Sequence, residues 1–337
     1  MSVRVLLVKM SSMGDLVHTL PAITDASGHG IEFDWVVEEA FTAIADRHPA
    51  VGQVLPIGWR RWRHDLFASR RELAEFFDLV RQRNYDLVLD AQGLWKSAAV
   101  ALAARTRKRC GFDRKSAREG ASTRFYNNKV SVPRSLHAID RQRQLFSSTF
   151  DYPLADSPEV FGIESDPVDP RRICILAHGT TWATKHWPEP MWVALSRELG
   201  ERGYQVVLPA GNDVEAQRAR RIADASEARV LAQSTLADLI DKLANAALVV
   251  GVDSGLSHLA AALGRPTVTL YGATDPVLTG ARGRRALSLQ ARFDCAPCRN
   301  KLCGYRGEAR YWRQQQVQPA CFSALTPDQV LQAVEAL

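Results

Sequence analysis

Short apolar, β-branched runs alternate with longer stretches of helical periodicity along most of the chain. In the first half, strand-type runs fall at Val3–Val8, Phe33–Val37, Val51–Pro56, Asp86–Asp90 and Lys108–Phe112. Between them, apolar residues recur at helical spacing over Leu16–Asp25, Glu39–Arg47, Ser69–Arg83 and Lys96–Arg105, and again over His137–Ser148. A strand covered on both faces reads as a short continuous apolar run, and strands joined through helices pair in parallel. The first half is therefore predicted to be α/β, with a parallel sheet between helical layers.

The pattern breaks between 151 and 170. Asp151-Tyr152-Pro153, Ser157-Pro158, Asp166-Pro167 and Asp169-Pro170 cannot continue a helix or a central strand, so this stretch reads as a linker. The alternation then restarts: strands at Ile173–Leu176, Gln205–Leu208, Leu248–Val252 and Thr267–Tyr271; helices at Glu189–Arg202, Val214–Asp224, Thr235–Ala244 and Ser257–Leu263. Arg282–Ala320 is irregular and basic. A closing helix is predicted over Pro327–Leu337, with Thr326 as N-cap and Pro327 at its first position. At 337 residues the chain is long enough for two cores. The predicted division is a domain over 1–155, a linker over 156–170 and a domain over 171–337, with a final helix able to pack back on the N-terminal domain. Two doubly wound halves bind ligands outside the C-terminal ends of their strands, which implies a cleft between them.

Charge sharpens this picture. The net charge is only +6, but residues 59–145 hold twenty Lys and Arg against nine Asp and Glu, and the rest of the chain is net acidic. That block is expected to face something anionic, although any single Arg within it is more simply a solvated surface residue. No secretory signal is read at the start, and no apolar run reaches the ~20 residues of a spanning helix. A cytoplasmic location is expected, in which six cysteines are thiols or metal ligands rather than disulfides.

Several strand ends carry candidate chemistry. After the first strand comes Lys9-Met10-Ser11-Ser12-Met13-Gly14-Asp15. Asp15 there reads equally well as a helix cap and as a general base at the cleft edge. Neither a G-x-G-x-x-G nor a P-loop pattern is present. In the second half, His178-Gly179-Thr180-Thr181-Trp182-Ala183-Thr184-Lys185 precedes a Pro-started helix, where hydroxyls and a lysine suit an anion. Val252-Asp253-Ser254-Gly255-Leu256-Ser257-His258 runs from strand to helix, and the free N–H groups of the helix's first turn suit phosphate oxygens. The plain alternative is an ordinary turn with Asp253 or Ser254 as cap and His258 in the core. Glu215, following Leu208-Pro209-Ala210-Gly211-Asn212, can accept ribose hydroxyls, a weak signal alone.

Two further patterns stand apart. Cys295, Cys298, Cys303 and Cys321 have spacings that a structural tetrahedral zinc site could use, or are four reduced thiols. Trp59-Arg60-Arg61-Trp62-Arg63-His64 interleaves Arg with aromatic rings and suits anionic sugars or phosphates. Nucleic acid is set aside, because no recognised binding module accompanies it.

Taken together, Val8–Asp15, Thr180-Thr181 with Lys185-His186-Trp187-Pro188, Val252–Leu259 and Tyr271-Gly272-Ala273-Thr274-Asp275-Pro276 strongly resemble the ADP-heptose:lipopolysaccharide heptosyltransferases, glycosyltransferase family 9, and the type I members most closely. Phe33–Glu39 and Arg60–Arg63 extend the resemblance nearly end to end. It implies a GT-B fold of two Rossmann-like domains facing each other across a cleft. It also implies inverting transfer of L-glycero-D-manno-heptose from ADP-heptose to the Kdo of Kdo2-lipid A, with no cofactor or catalytic metal. By matching position, Asp15 corresponds to the base, and Thr180, Thr181 and Lys185 to diphosphate contacts, with Lys185 also stabilising the leaving charge. Glu215 corresponds to the ribose contact, and Asp253, Ser254, Gly255 and His258 to the rest of the donor loop. Ser12, Gly14, Arg60, Arg61 and Arg63 are the implied acceptor side. The implied setting is a monomer, peripheral on the cytoplasmic face of the inner membrane and touching its anionic surface. Type II enzymes, a nucleotide-sugar epimerase and a non-catalytic nucleotide-sugar-binding protein are the alternatives.

Overall fold

Six parallel strands build the first sheet: β1 (Val3–Val8), β2 (Ile31–Glu38), β3 (Val51–Ile57), β4 (Leu87–Asp90), β5 (Arg109–Phe112) and β6 (Asn128–Val130), ordered β3-β2-β1-β4-β5-β6. The second sheet contains β7 (Ile173–Ala177), β8 (Gln205–Leu208), β9 (Arg229–Val230), β10 (Leu248–Val252), β11 (Thr267–Tyr271) and β12 (Ala286–Gln290), ordered β12-β11-β10-β7-β8-β9 and again all parallel. Counted within its own half, each sheet runs 3-2-1-4-5-6, the Rossmann order. The computed structural model describes residues 3–154, 158–165 and 172–337. It divides into two units, Met1–Ile163 and Glu164–Leu337.

Central strands follow the apolar pattern because both faces are covered. All of β4 and β10 is buried, as is β1 from Val5 onward. The three strands without a sequence signal, β6, β9 and β12, are edge strands, short or half-exposed. There, burial imposes no apolar run. The helix predicted over Leu16–Asp25 is two helices, Met13–Val17 and Leu20–Ser27. Pro21, which lacks an N–H, sits in the first turn of the second, where none is needed.

Of the stretch expected as a linker, residues 156, 157 and 166–170 lie outside the described residues. Its described part is packed rather than extended: Phe161 and Ile163 are buried in the first unit. The closing helix, Pro327–Glu335, is built into the second core. Val330, Leu331 and Ala333 lie in one cluster with Trp187, Met191, Trp192 and Leu195. Trp187 and Trp192 meet edge to face at 4.9 Å, and Trp187 Nε1 donates to the Leu325 carbonyl at 3.0 Å.

One strand residue sets how closely β7 and β10 approach the following helix. A Cβ on Gly251 would lie 2.8 Å from Ala177 Cβ and 3.2 Å from the Ala177 carbonyl oxygen, and would overlap Ser257 Oγ. Gly251→Ala is expected to cost about 1–3 kcal/mol by overpacking, read as a lower urea midpoint. Adding Ser257→Ala should restore only part of it, because the Ala177 backbone cannot move aside.

Candidate functional site

Strand order reverses between β7 and β10, and loops leaving a reversal point diverge enough to hold a ligand. In the second unit, the loops after β7, β8, β10 and β11 meet there around Asp253. This side chain is 7% exposed. Its Oδ2 lies 2.7 Å from Lys185 Nζ and accepts from Thr274 Oγ1 at 2.6 Å; Oδ1 is 3.1 Å from His258 Nε2. Burial alone would raise its pKa. His258 and Lys185 outweigh burial and hold the carboxyl well below the usual carboxylate range. Asp253 therefore orders the loops around it, and its oxygens are already taken by protein donors.

The neighbouring groups remain open. Thr180 Oγ1 donates to the Asp253 carbonyl at 3.3 Å, and Thr181 is exposed. Ser254 is the N-cap of the helix Gly255–Ala262 but makes no side-chain cap bond, leaving the first-turn N–H groups available to an anion. Glu215 Oε2 accepts from Gly211 N at 2.8 Å. It also lies against Gly179, where an added Cβ would stand 2.7 Å from its carboxyl carbon. The hydroxyls, the lysine and this carboxylate thus share one strand-end surface. Sequence reasoning missed Thr274 and Lys301, and placed Trp182 in a functional loop without a partner. Lys185 Nζ lies 4.7 Å and Lys301 Nζ 5.6 Å from the Trp182 ring centre. Thr274 stood within a quoted motif without a role, and its partner is 21 residues away.

In the first unit the reversal falls between β1 and β4. Asp90 Oδ1 accepts from Gln92 N and Gly93 N, and Gln92 Oε1 accepts from Met10 N at 2.7 Å, so the β4 turn fixes the β1 loop. Ser12 caps the helix Met13–Val17 in a reciprocal box with Asp15. Asp15 Oδ2 accepts from Ser12 N at 2.8 Å and Ser12 Oγ at 2.9 Å; Oδ1 faces Lys9 Nζ at 3.9 Å, and the carboxylate is 44% exposed. The capping role is thus real, and it occupies one oxygen. Lys9, absent from the predicted site, is buried and donates to the Ala91 carbonyl. Burial pushes its ammonium down, opposed by Asp15 and Asp90. Gly14 lies in the same helical turn. Arg61 is committed to Glu39 and Glu72 at 3.2 and 2.6 Å, whereas Arg60 and Arg63 are exposed.

For the four cysteines the spacing left two readings, a structural zinc site and reduced thiols. Cys295, Cys298, Cys303 and Cys321 line one cavity of about 340 Å³. Among the described residues, however, no group of three or more His, Cys, Asp or Glu is arranged to hold a metal ion. Cys321 is a core thiol against Gly272, pushed by burial up to about 12, while Cys295 and Cys303 are exposed. Hydrogen bonds tie the segment down: Arg299 N to the Ala273 carbonyl, Arg299 to Asp275, and Thr184 Oγ1 to the Asn300 carbonyl.

Comparison with known proteins adds to this geometry. The sequence model of glycosyltransferase family 9 (heptosyltransferase) matches residues 73–308. The chain is 45% identical to lipopolysaccharide heptosyltransferase 1 of Pseudomonas aeruginosa over 99% of its length and 98% of the relative's. It superposes on the Escherichia coli heptosyltransferase WaaC solved with ADP at a TM-score of 0.85, with 38% identity and 99% of both chains covered. Escherichia coli ADP-heptose lipopolysaccharide heptosyltransferase II shares the fold at a TM-score of 0.73 and 20% identity, over 99% of this chain and 98% of that one.

Beneath the β7 loop, His178 is fully buried, and neither ring nitrogen has a hydrogen-bond partner among the described residues. Burial first, then the Arg218 charge, push it down to about 4; the Pro209 carbonyl offsets part of this without closing a full hydrogen bond. An unfolded imidazole takes its proton near 6.5, so between about 6.5 and 4 the unfolded chain binds more protons. Stability is full above that window and falls as pH drops through it, by about 3 kcal/mol from this group. Urea midpoints measured from pH 7 to pH 4 should fall less steeply in His178→Leu than in the wild type.

Proposed function

The chain belongs to glycosyltransferase family 9, the heptosyltransferases, and we propose that it works as a type 1 lipopolysaccharide heptosyltransferase, taking heptose from ADP-L-glycero-D-manno-heptose. The observation that carries this reading is Lys185 held against Asp253 beside an uncapped helix N-terminus, where a diphosphate would sit. The near-complete match to a type 1 relative and the ADP in the WaaC structure support the donor. Glu215 takes the ribose hydroxyls, and Thr180, Thr181 and the N–H groups following Ser254 take the diphosphate.

The proposed reaction is a single inverting displacement. Asp15 accepts the proton of a Kdo hydroxyl of Kdo2-lipid A through Oδ1, the oxygen its capping bonds leave open. The acceptor oxygen bonds to C1 of the heptose as the C1–O bond to phosphate breaks, and ADP departs with the electron pair. Lys185 and the helix N-terminus meet the charge that develops on the diphosphate, and in this reading no metal ion is required. Arg60 and Arg63, neither held by a carboxylate, fit the acceptor's anionic groups better than Arg61. The acceptor places the reaction at the cytoplasmic face of the inner membrane. No described helix is long and apolar enough to cross a membrane, which suits a peripheral protein.

Asp15→Ala should lower turnover about 10²–10⁴-fold while leaving ADP affinity unchanged by calorimetry; parallel loss of both would remove Asp15 from the chemistry. Lys185→Ala should weaken ADP binding and turnover together. Incubated with ADP-heptose, the protein should consume Kdo2-lipid A and leave its heptosylated form untouched. The reverse preference would assign the type 2 reaction, and product release without any acceptor would assign an epimerase.

A further inference from the structure

One surface of the first unit departs from the usual rule that large apolar side chains are covered. After the short helix Trp59–Trp62, residues 63–68 are all exposed, and at their tip Phe67 is 78% and Leu66 52% exposed. The tip has a defined shape. Asp65 Oδ1 accepts from Ala68 N at 2.8 Å, Ser69 N donates to the Asp65 carbonyl, and Ser69 is buried beneath the turn. Leu66 and Phe67 are therefore held outward on an ordered turn.

The charge around them is mainly positive, with Asp65, turned onto the Ala68 N–H, the one carboxylate of the turn itself. Glu39 and Glu72 are spent on Arg61, and Glu75 on Arg71. Arg60, Arg63 and Arg70 have no carboxylate partner among the described residues. The Arg70 guanidinium lies 4.5 Å from the Phe67 ring centre, which keeps a cation beside the most exposed aromatic ring. Lys96, at the start of the helix after β4, is within electrostatic reach of Arg60 and Arg63. Beside it Trp95 is 45% exposed, packed on Phe125 and covered by Arg124. These groups follow β3, β4 and β5, and so belong to the same strand-end edge as Asp15.

We propose that Leu66 and Phe67 form a wedge that enters the headgroup region of an anionic lipid bilayer, with Arg60, Arg63 and Arg70 as its electrostatic collar. An apolar tip ringed by arginines is the combination that binds an anionic membrane surface reversibly, since neither signal alone anchors firmly. A neutral protein groove would leave those arginines without partners, and a soluble anion would give the two apolar side chains nothing to enter. This deepens the proposed acceptor reading, because an acylated acceptor lies in such a bilayer on the side that Asp15 must meet.

The test is co-sedimentation of the full chain with phosphatidylcholine vesicles, with and without phosphatidylglycerol and without any acceptor. Wild type should bind the phosphatidylglycerol vesicles, and less so as salt rises. The double variant Leu66→Ser, Phe67→Ser should partition about tenfold more weakly or worse. Arg70→Gln should lose about fivefold, and only on the anionic vesicles. The double variant should keep the wild-type melting temperature and the wild-type rate on a water-soluble, acyl-free acceptor. No binding by wild type, or equal binding by the double variant, overturns the wedge; so does a wild-type dimer that the double variant abolishes, which would mark a protein interface. Vesicle binding by a wild type that transfers no heptose would refute the proposed function while leaving the wedge intact.

Discussion

Burying the Asp253 carboxylate at the end of β10 strips it of water, and simultaneous donation by Lys185, His258 and Thr274 offsets that cost. The three donors come from three different segments: the loop after β7, the helix after β10 and the loop after β11. A single side chain therefore sets the spacing of the surface on which the donor is proposed to lie. Removing any one donor leaves a buried charge under-compensated, so the arrangement tolerates little drift. Gly251 and Gly179 serve the same end sterically, by allowing β7 and Glu215 to come close.

Much of this was legible from residue pattern. The central strands announce themselves because two-sided burial forces continuous apolar runs, and the candidate loops fall at their C-terminal ends for the same topological reason in both halves. The edge strands β6, β9 and β12 carried no such constraint and passed unseen, whereas β3, also at an edge, was read. Partnerships formed across longer sequence separations were equally silent: nothing near Thr274 names Asp253 as its neighbour, nor anything near Lys9 the Ala91 carbonyl. Asp15 is instructive, since spacing left cap and base evenly matched. The structure shows the cap, and shows that it engages Oδ2 and leaves Oδ1 to face Lys9. The cysteines show another gap. Spacing along a chain says nothing about which thiols turn into a core, and Cys321 does.

The two units repeat one strand order yet differ in what their reversal points hold. In the second, the loops carry hydroxyls, a paired lysine and an uncapped helix end. In the first, a glutamine and a buried lysine brace a short loop around a half-exposed carboxylate. The scaffold supplies position, and loop composition decides the chemistry. The arginine-rich block divides in the same way, with Arg61 consumed in internal pairing and its neighbours left outward.

The Lys185–Asp253 pair has a consequence for an enzyme bathed in simple phosphates. Because the lysine already has a counter-ion in Asp253, it offers a lone anion less net attraction than an unpaired ammonium would. A ligand gains most by meeting the helix N–H groups, the threonine hydroxyls and Glu215 at once, drawing Lys185 partly away from its internal partner. The ion pair thus acts as an occupancy threshold. On the proposed donor reading, it disfavours inorganic phosphate relative to molecules long enough to reach from Glu215 to the lysine.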